Sequence, residues 1–161
     1  MSRSGQPHTP KKRNKPDQPA FTRRTTMRAL ENDLNPVSSV RHDRQAAAAN
    51  GTGVALAGYE GALAVLDVAA VGGTTPTATY KLQESDDNSA YNDVSTADMG
   101  GDAQPTAFSA AGLVARGYYG VKKYLRWRLD ALSGTSPTAT ATGQIILGNA
   151  RHQPAGVTQA P

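Results

Sequence analysis

From Val121 onward every second residue is Val121, Lys123, Leu125, Trp127, Leu129 and Ala131, and the alternate set is Lys122, Tyr124, Arg126, Arg128, Asp130 and Leu132. A two-residue period of this kind marks a strand with one face on a core and the other toward solvent or a partner. A helix would need apolar residues three and four apart and would distribute Lys122, Arg126 and Arg128 differently around the only tryptophan. The stretch Gly117–Leu132 therefore predicts a strand with Trp127 inward and the basic residues outward. The rest of the chain must supply a sheet that covers Trp127.

The alternation recurs. After a turn over Ser133–Pro137, Ala139, Ala141, Gly143, Ile145 and Leu147 alternate with Thr138, Thr140, Thr142, Gln144 and Ile146, which predicts a second strand with small inward residues. Ala78, Tyr80, Leu82 and Glu84 share one face of a strand that turns at Asp86–Ser89 and resumes at Tyr91–Val94, a hairpin. Val54 and Leu56 predict a short strand after the Asn50-Gly51 turn. Ala62–Val71 is almost continuously apolar between glycines, the pattern of a strand covered on both faces, with Asp67 as its one buried carboxylate. Ala97–Ala111 reads as a loop anchored by Phe108, and Leu113–Tyr119 leads into the Trp127 strand. Six to eight short strands between Gly, Pro and Asp turns predict an all-β, antiparallel sandwich or barrel.

The N-terminal region is different in kind. Residues 1–45 hold ten Lys or Arg against four acids, whereas residues 46–161 hold seven against nine, so the net charge of +4 belongs to the arm. Four prolines and a Lys11-Lys12-Arg13 cluster followed by Lys15 leave residues 1–22 almost nothing apolar before Phe21. Such a segment cannot bury enough surface to offset its conformational entropy, and it is expected to be either a solubilising tail or an arm that orders only on an acidic partner surface. Met27, Leu30 and Leu34 fall at helical spacing before Asn35-Pro36, which predicts a short docked helix over Thr25–Leu34. Asp43–Ala49 reads as a helical turn or a linker. The expected organisation is a basic arm over 1–49, a β domain over 50–150 and a tail over 151–161.

Several chemistries are not expected. With no cysteine there is no disulfide framework, thiolate metal site or thiol nucleophile, which fits a reducing compartment. His8, His42 and His152 lie in the arm, the linker and the tail without a partner at ligand spacing. The Asp86-Asp87-Asn88-Ser89 turn lacks the central Gly and closing Glu of a calcium loop. The glycines form no Walker or dinucleotide motif, and no serine has a candidate base. Apolar runs fall short of the roughly 18 residues that span a bilayer, and the N-terminus has no secretory apolar segment. A soluble, non-enzymatic protein without a cofactor or small-molecule substrate, made in the cytoplasm, is expected. The arm has the charge for phosphate contacts, but no aromatic residues interleave with the basic ones, which argues against nucleic acid as its partner.

The stretches GYEGALAVLDVAAVGGTTPTATYKLQESDDNSAYNDV and GYYGVKKYLRWRLDAL and the closing IILGNARHQP together resemble a family of small tailed-phage virion proteins, the head structural, decoration or cement proteins. The resemblance covers about residues 58–154, resting on the KLQESDDNS hairpin, the GY-x-G-x-KKY-x-R strand and the LGNARHQP ending. It implies a compact antiparallel β-sandwich or jelly roll on the outer face of a capsid, with the major capsid protein as partner and self-association on the lattice. On that expectation Lys11, Lys12, Arg13, Lys15, Arg23, Arg24 and Arg28 pair with acidic capsid residues. Phe21, Met27, Leu30 and Leu34 supply apolar anchors, and Arg126 and Arg128 form either a solvated face or an interface between copies. A neck, tail or baseplate component and a nucleic-acid-binding protein are the competing readings.

Overall fold

Two strands of 27 residues each run the length of the fold, β4 over Tyr59–Ser85 and β8 over Tyr124–Ala150. They pair antiparallel from Tyr59↔Ala150 to Ser85↔Tyr124. The computed structural model of the chain describes residues 33–150. The other strands flank this ribbon: β1 (Leu34–Gln45), β2 (Ala49–Asn50) and β3 (Val54–Ala55) along β8, and β5 (Asn92–Asp93), β6 (Thr106–Phe108) and β7 (Gly112–Tyr118) along β4. All pairings are antiparallel and make one eight-stranded sheet. The all-β antiparallel class is the one the alternation predicts.

Both long strands bend at segments that differ only at Thr75 and Ser136, Gly73-Thr74-Thr75-Pro76-Thr77-Ala78-Thr79 in β4 and Gly134-Thr135-Ser136-Pro137-Thr138-Ala139-Thr140 in β8. The two copies lie against each other at Thr74↔Thr135, where the register slips on either side. Gly73 and Gly134 have φ of 121° and 111°, and Thr75 and Ser136 have 46° and 49°. A Cβ on Gly73 would stand 2.8 Å from the Thr135 carbonyl oxygen, and one on Gly134 would stand 2.7 Å from that of Thr74. Only glycine permits that left-handed backbone and that approach together. Segments that read as turns between separate strands are thus bulged bends within continuous ones, because each proline sits where the ladder is already interrupted.

The bend divides the sheet into two layers. The first holds β1, the C-terminal half of β8, the N-terminal half of β4 and β7. The second holds β2, β3, the N-terminal half of β8, the C-terminal half of β4, β5 and β6. Their inner faces share one core, with Ala64, Leu66, Val68, Ile145 and Leu147 from the first and Tyr80, Leu82, Leu125, Trp127 and Leu129 from the second. Trp127 is fully buried, and a Cβ on Gly143 would meet its Cδ1 at 2.9 Å and Leu66 Cδ1 at 3.3 Å. The small inward residue read from the sequence is the space that the indole fills.

Side chains secure the sheet at both margins. A bulge between Ser38 and Val40 turns Ser39 inward. Its Oγ donates to the Thr52 carbonyl at 2.9 Å and accepts from the Trp127 amide at 3.1 Å. At the opposite margin Gln104 acts as a missing strand residue, accepting from the Leu82 amide and donating to the Leu82 and Val94 carbonyls. Phe108 packs edge-on against Tyr80, centroids 6.1 Å apart, as the anchor its isolation predicted.

Three expectations change. Residues 34–45 form β1, so the sheet begins at Leu34 instead of residue 50, and no helix occupies 43–49. An edge strand accepts Pro36 because one side of it carries no ladder. The predicted helix lies outside the described residues except at its end, where Leu34 is in β1. Asp67 is exposed, since the Ala62–Val71 segment is covered on one face only: Ala64, Leu66 and Val68 are buried while Leu63 is 41% exposed. Val121, expected inward, is 93% exposed because β8 starts at Tyr124.

Candidate interaction surfaces

The outer face of the second layer is a closed network of charge. Lys81 Nζ lies 3.0 Å from Asp93 and 3.1 Å from Asp130, and Arg128 reaches Asp130 at 3.5 Å. Arg126 donates to Gln83 Oε1 through Nε and Nη2 at 3.2 and 2.9 Å and stacks 3.7 Å above the Tyr91 ring. The Gln83 amide in turn donates to Asp93 at 2.9 Å. Hydrogen bonds to Asp93 and then Asp130 raise the Lys81 pKa. Burial works against the Asp93 carboxylate, but the Gln83 amide and Lys81 outweigh it and hold its pKa below the usual range. Arg126 and Arg128 therefore lie outward, as their alternation predicts, with partners inside their own chain.

Arg116 departs from that pattern. It is 1% exposed, pointing inward from β7. Its Nη2 donates to the Ala103 carbonyl at 3.3 Å and to Thr106 Oγ1. Burial lowers its pKa, with Asp102 as a weaker opposing charge. An arginine followed by Gly117, Tyr118, Tyr119 and Gly120 gives no sign in sequence that it pins the loop before β6.

The outer face of the first layer is the reverse of the second. The register aligns Pro36, Ile146 and Leu63 in one row, Ser38, Gln144, Val65 and Ala115 in the next, and Arg41, Thr142, Asp67 and Leu113 in a third. Leu113 is 69% exposed. Arg41 and Asp67 make no ion pair among the described residues. Sequence reading missed this face because it took the β4 segment as covered on both sides.

A third surface lies at the end of the sheet where the chain enters and leaves. Leu34 pairs with Gly148 and Tyr59 with Ala150, so residues 33 and 150 emerge together. Beside them an open cleft of about 950 Å³ runs between Ala55–Ala62 and Tyr118–Tyr124. Asn35 donates to the Tyr59 hydroxyl at 2.9 Å on its wall. The Tyr118 hydroxyl donates to Glu84 at 2.7 Å and accepts from the Lys122 amide at 3.1 Å, and burial first, then the Glu84 contact, drives its pKa upward. Lys122 pairs with Asp86 at 2.7 Å, which raises its own pKa.

Of the residues expected to touch a partner, Lys11, Lys12, Arg13, Lys15, Phe21, Arg23, Arg24, Met27, Arg28 and Leu30 lie outside the described residues. Leu34 begins β1, and Arg126 and Arg128 belong to the second-layer network. Among the described residues no group of three His, Asp or Glu side chains is placed to hold a metal ion. No family model matches the chain, and neither a curated protein nor a solved structure matches it.

Proposed function

We propose that this protein is a non-enzymatic virion structural protein that decorates the outer face of a tailed-phage capsid. Its basic arm engages the major capsid protein, and its copies associate on the lattice. The observation that carries the reading is the division of charge along a mechanically continuous chain. Residues 1–32 hold eight Lys or Arg against two acids, while residues 33–150 hold eight against eleven, a net +6 beside a net −3. The arm is also continuous with an edge strand.

From Leu34↔Gly148 to Gln45↔Ala139, β1 lies along β8, so tension on the arm loads many inter-strand hydrogen bonds together in shear. Such an attachment suits a clamp. The arm's gain must offset roughly 1–2 kcal/mol of backbone entropy for each residue ordered. Lys11, Lys12, Arg13, Lys15, Arg23, Arg24 and Arg28 supply charge for acidic capsid residues, and Phe21, Met27 and Leu30 supply apolar anchors.

The test is co-sedimentation of the full chain with heads of the same phage that lack it, counting bound copies. Decoration predicts saturation on the order of hundreds of copies, following lattice symmetry. Changing Lys11, Lys12, Arg13 and Lys15 together to Glu should remove most of that binding. About a dozen copies or fewer would point to a neck or tail component. Failure to bind heads, with salt-dependent binding to unrelated DNA, would replace the reading with a nucleic-acid one.

A further inference from the structure

We infer that the outer face of the first layer is a two-fold contact between copies of this chain, formed by packing β8 on β8 with Asp67 of each copy against Arg41 of the other. The inference deepens the lattice reading by naming the surface through which copies meet, and it rests on that reading only for its biological setting.

The face is open and unusually poor in charge for this molecule. Its rows offer Pro36, Ile146, Leu63, Val65, Ala115 and Leu113, with Arg41 and Asp67 as the charged residues. A solvated sheet face ordinarily carries its own charged cross-strand pairs, as the second layer does through Lys81, Asp93, Asp130 and Arg128. Here the two charges stand on the same row but on strands β1 and β4, with Thr142 of β8 between them. Neither side chain is in an ion pair among the described residues.

The order of strands determines which partner completes them. Across the layer the sequence is β1, β8, β4, β7, so a two-fold axis lying along β8 exchanges β1 with β4. Two copies packed face to face on that axis set Arg41 opposite Asp67, twice, and Thr142 opposite Thr142. The same operation sets Ser38 opposite Val65 and Pro36 opposite Leu63, and places Ile146 on its own counterpart. Sheets packed this way lie about 10 Å apart, a gap that an arginine and an aspartate span together. The surface is self-complementary in charge and in the order of its rows, which is what an isologous contact requires. Neither the second layer's outer face, whose charges are already paired, nor the end cleft, which carries Lys122 and Lys123, offers that match.

The experiment is sedimentation equilibrium of the full chain alone, from about 10 µM to about 1 mM. A monomer–dimer equilibrium is expected. Asp67→Arg and Arg41→Asp should each weaken it about tenfold or more, because each turns two attractive pairs into two repulsive ones. The double variant should restore it. Both side chains are exposed, so the variants should fold, which their circular dichroism checks. A chain that stays monomeric throughout, an assembly of another stoichiometry, a dimer indifferent to the single changes, or a double variant as weak as the singles would each overturn the inference. Heads are absent from the measurement, so a dimer that behaves as described from a chain that fails to bind heads removes only the capsid reading.

Discussion

Strands β4 and β8 each give one half to either layer, so both outer faces are built on the same two strands. In the second layer, the C-terminal half of β4 and the N-terminal half of β8 bring Lys81, Gln83, Arg126, Arg128 and Asp130 into one network of ion pairs and hydrogen bonds with Asp93 of β5. In the first, the other halves of the same strands bring Leu63, Val65, Asp67 and Ile146 outward, and Asp67 makes no ion pair with Arg41 of β1. The inner faces of the two layers are alike, since both bury alternate residues on one core. Folding thus fixes the inward half of each alternation, and the outward half is left to record what the face meets.

The comparison depends on the bend that separates the layers, and breaking the bend should have the largest effect. Gly73→Ala or Gly134→Ala drives a Cβ into a backbone carbonyl and forces a left-handed conformation on alanine. Each should lower the unfolding free energy by about 3 kcal/mol, measured by denaturant titration.

A smaller loss is expected when the second layer's network loses its centre. Lys81→Met removes two partly exposed bridges and should cost about 1 kcal/mol. The change should also alter the pH profile. The pKa of Lys81 is raised in the folded state, so its contribution is complete below the unfolded value of about 10.5 and disappears as pH rises through the folded one. The pKa of Asp93 is lowered, so its contribution is complete above about 3.9 and disappears as pH falls through the folded value. Thermal midpoints should therefore be flat between those limits and fall outside them, with both falls reduced in Lys81→Met. Burial pushes the Tyr80 hydroxyl up to about 12, which leaves part of the alkaline fall in place.

The smallest effect should come from the first layer. Leu63→Gln and Leu113→Gln lie on an open face and should change monomer stability by no more than about 0.5 kcal/mol in denaturant titration. A large loss there would mean that the apolar face serves folding.

Much of this was legible in the chain. The Thr138–Leu147 alternation and the inward Trp127 are as the two-residue period requires, because a half-buried strand leaves no other arrangement. What escaped has physical reasons. The period of an alternation does not say where pairing begins, so Val121 was grouped with Leu125 although the chain joins β8 only at Tyr124. An apolar run cannot distinguish a strand covered twice from one covered once, so Asp67 was placed in the core and the face around it was overlooked. Proline and charge in residues 34–45 suggested an arm, yet both suit an edge strand. The paired Gly-Thr-(Thr/Ser)-Pro-Thr-Ala-Thr segments were visible as a repeat, and comparing the chain with itself would have predicted that β4 and β8 bend together.

The most direct measurement of the difference between the two faces is hydroxyl-radical footprinting of the full chain at low and high protein concentration. Pro36, Leu63 and Ile146 should become protected as concentration rises, while Tyr91 in the second layer and Val121 at the end cleft keep their reactivity. Protection at Tyr91 with none at Leu63 would contradict the account, since the charged network would then be the contact and the apolar face the solvated one.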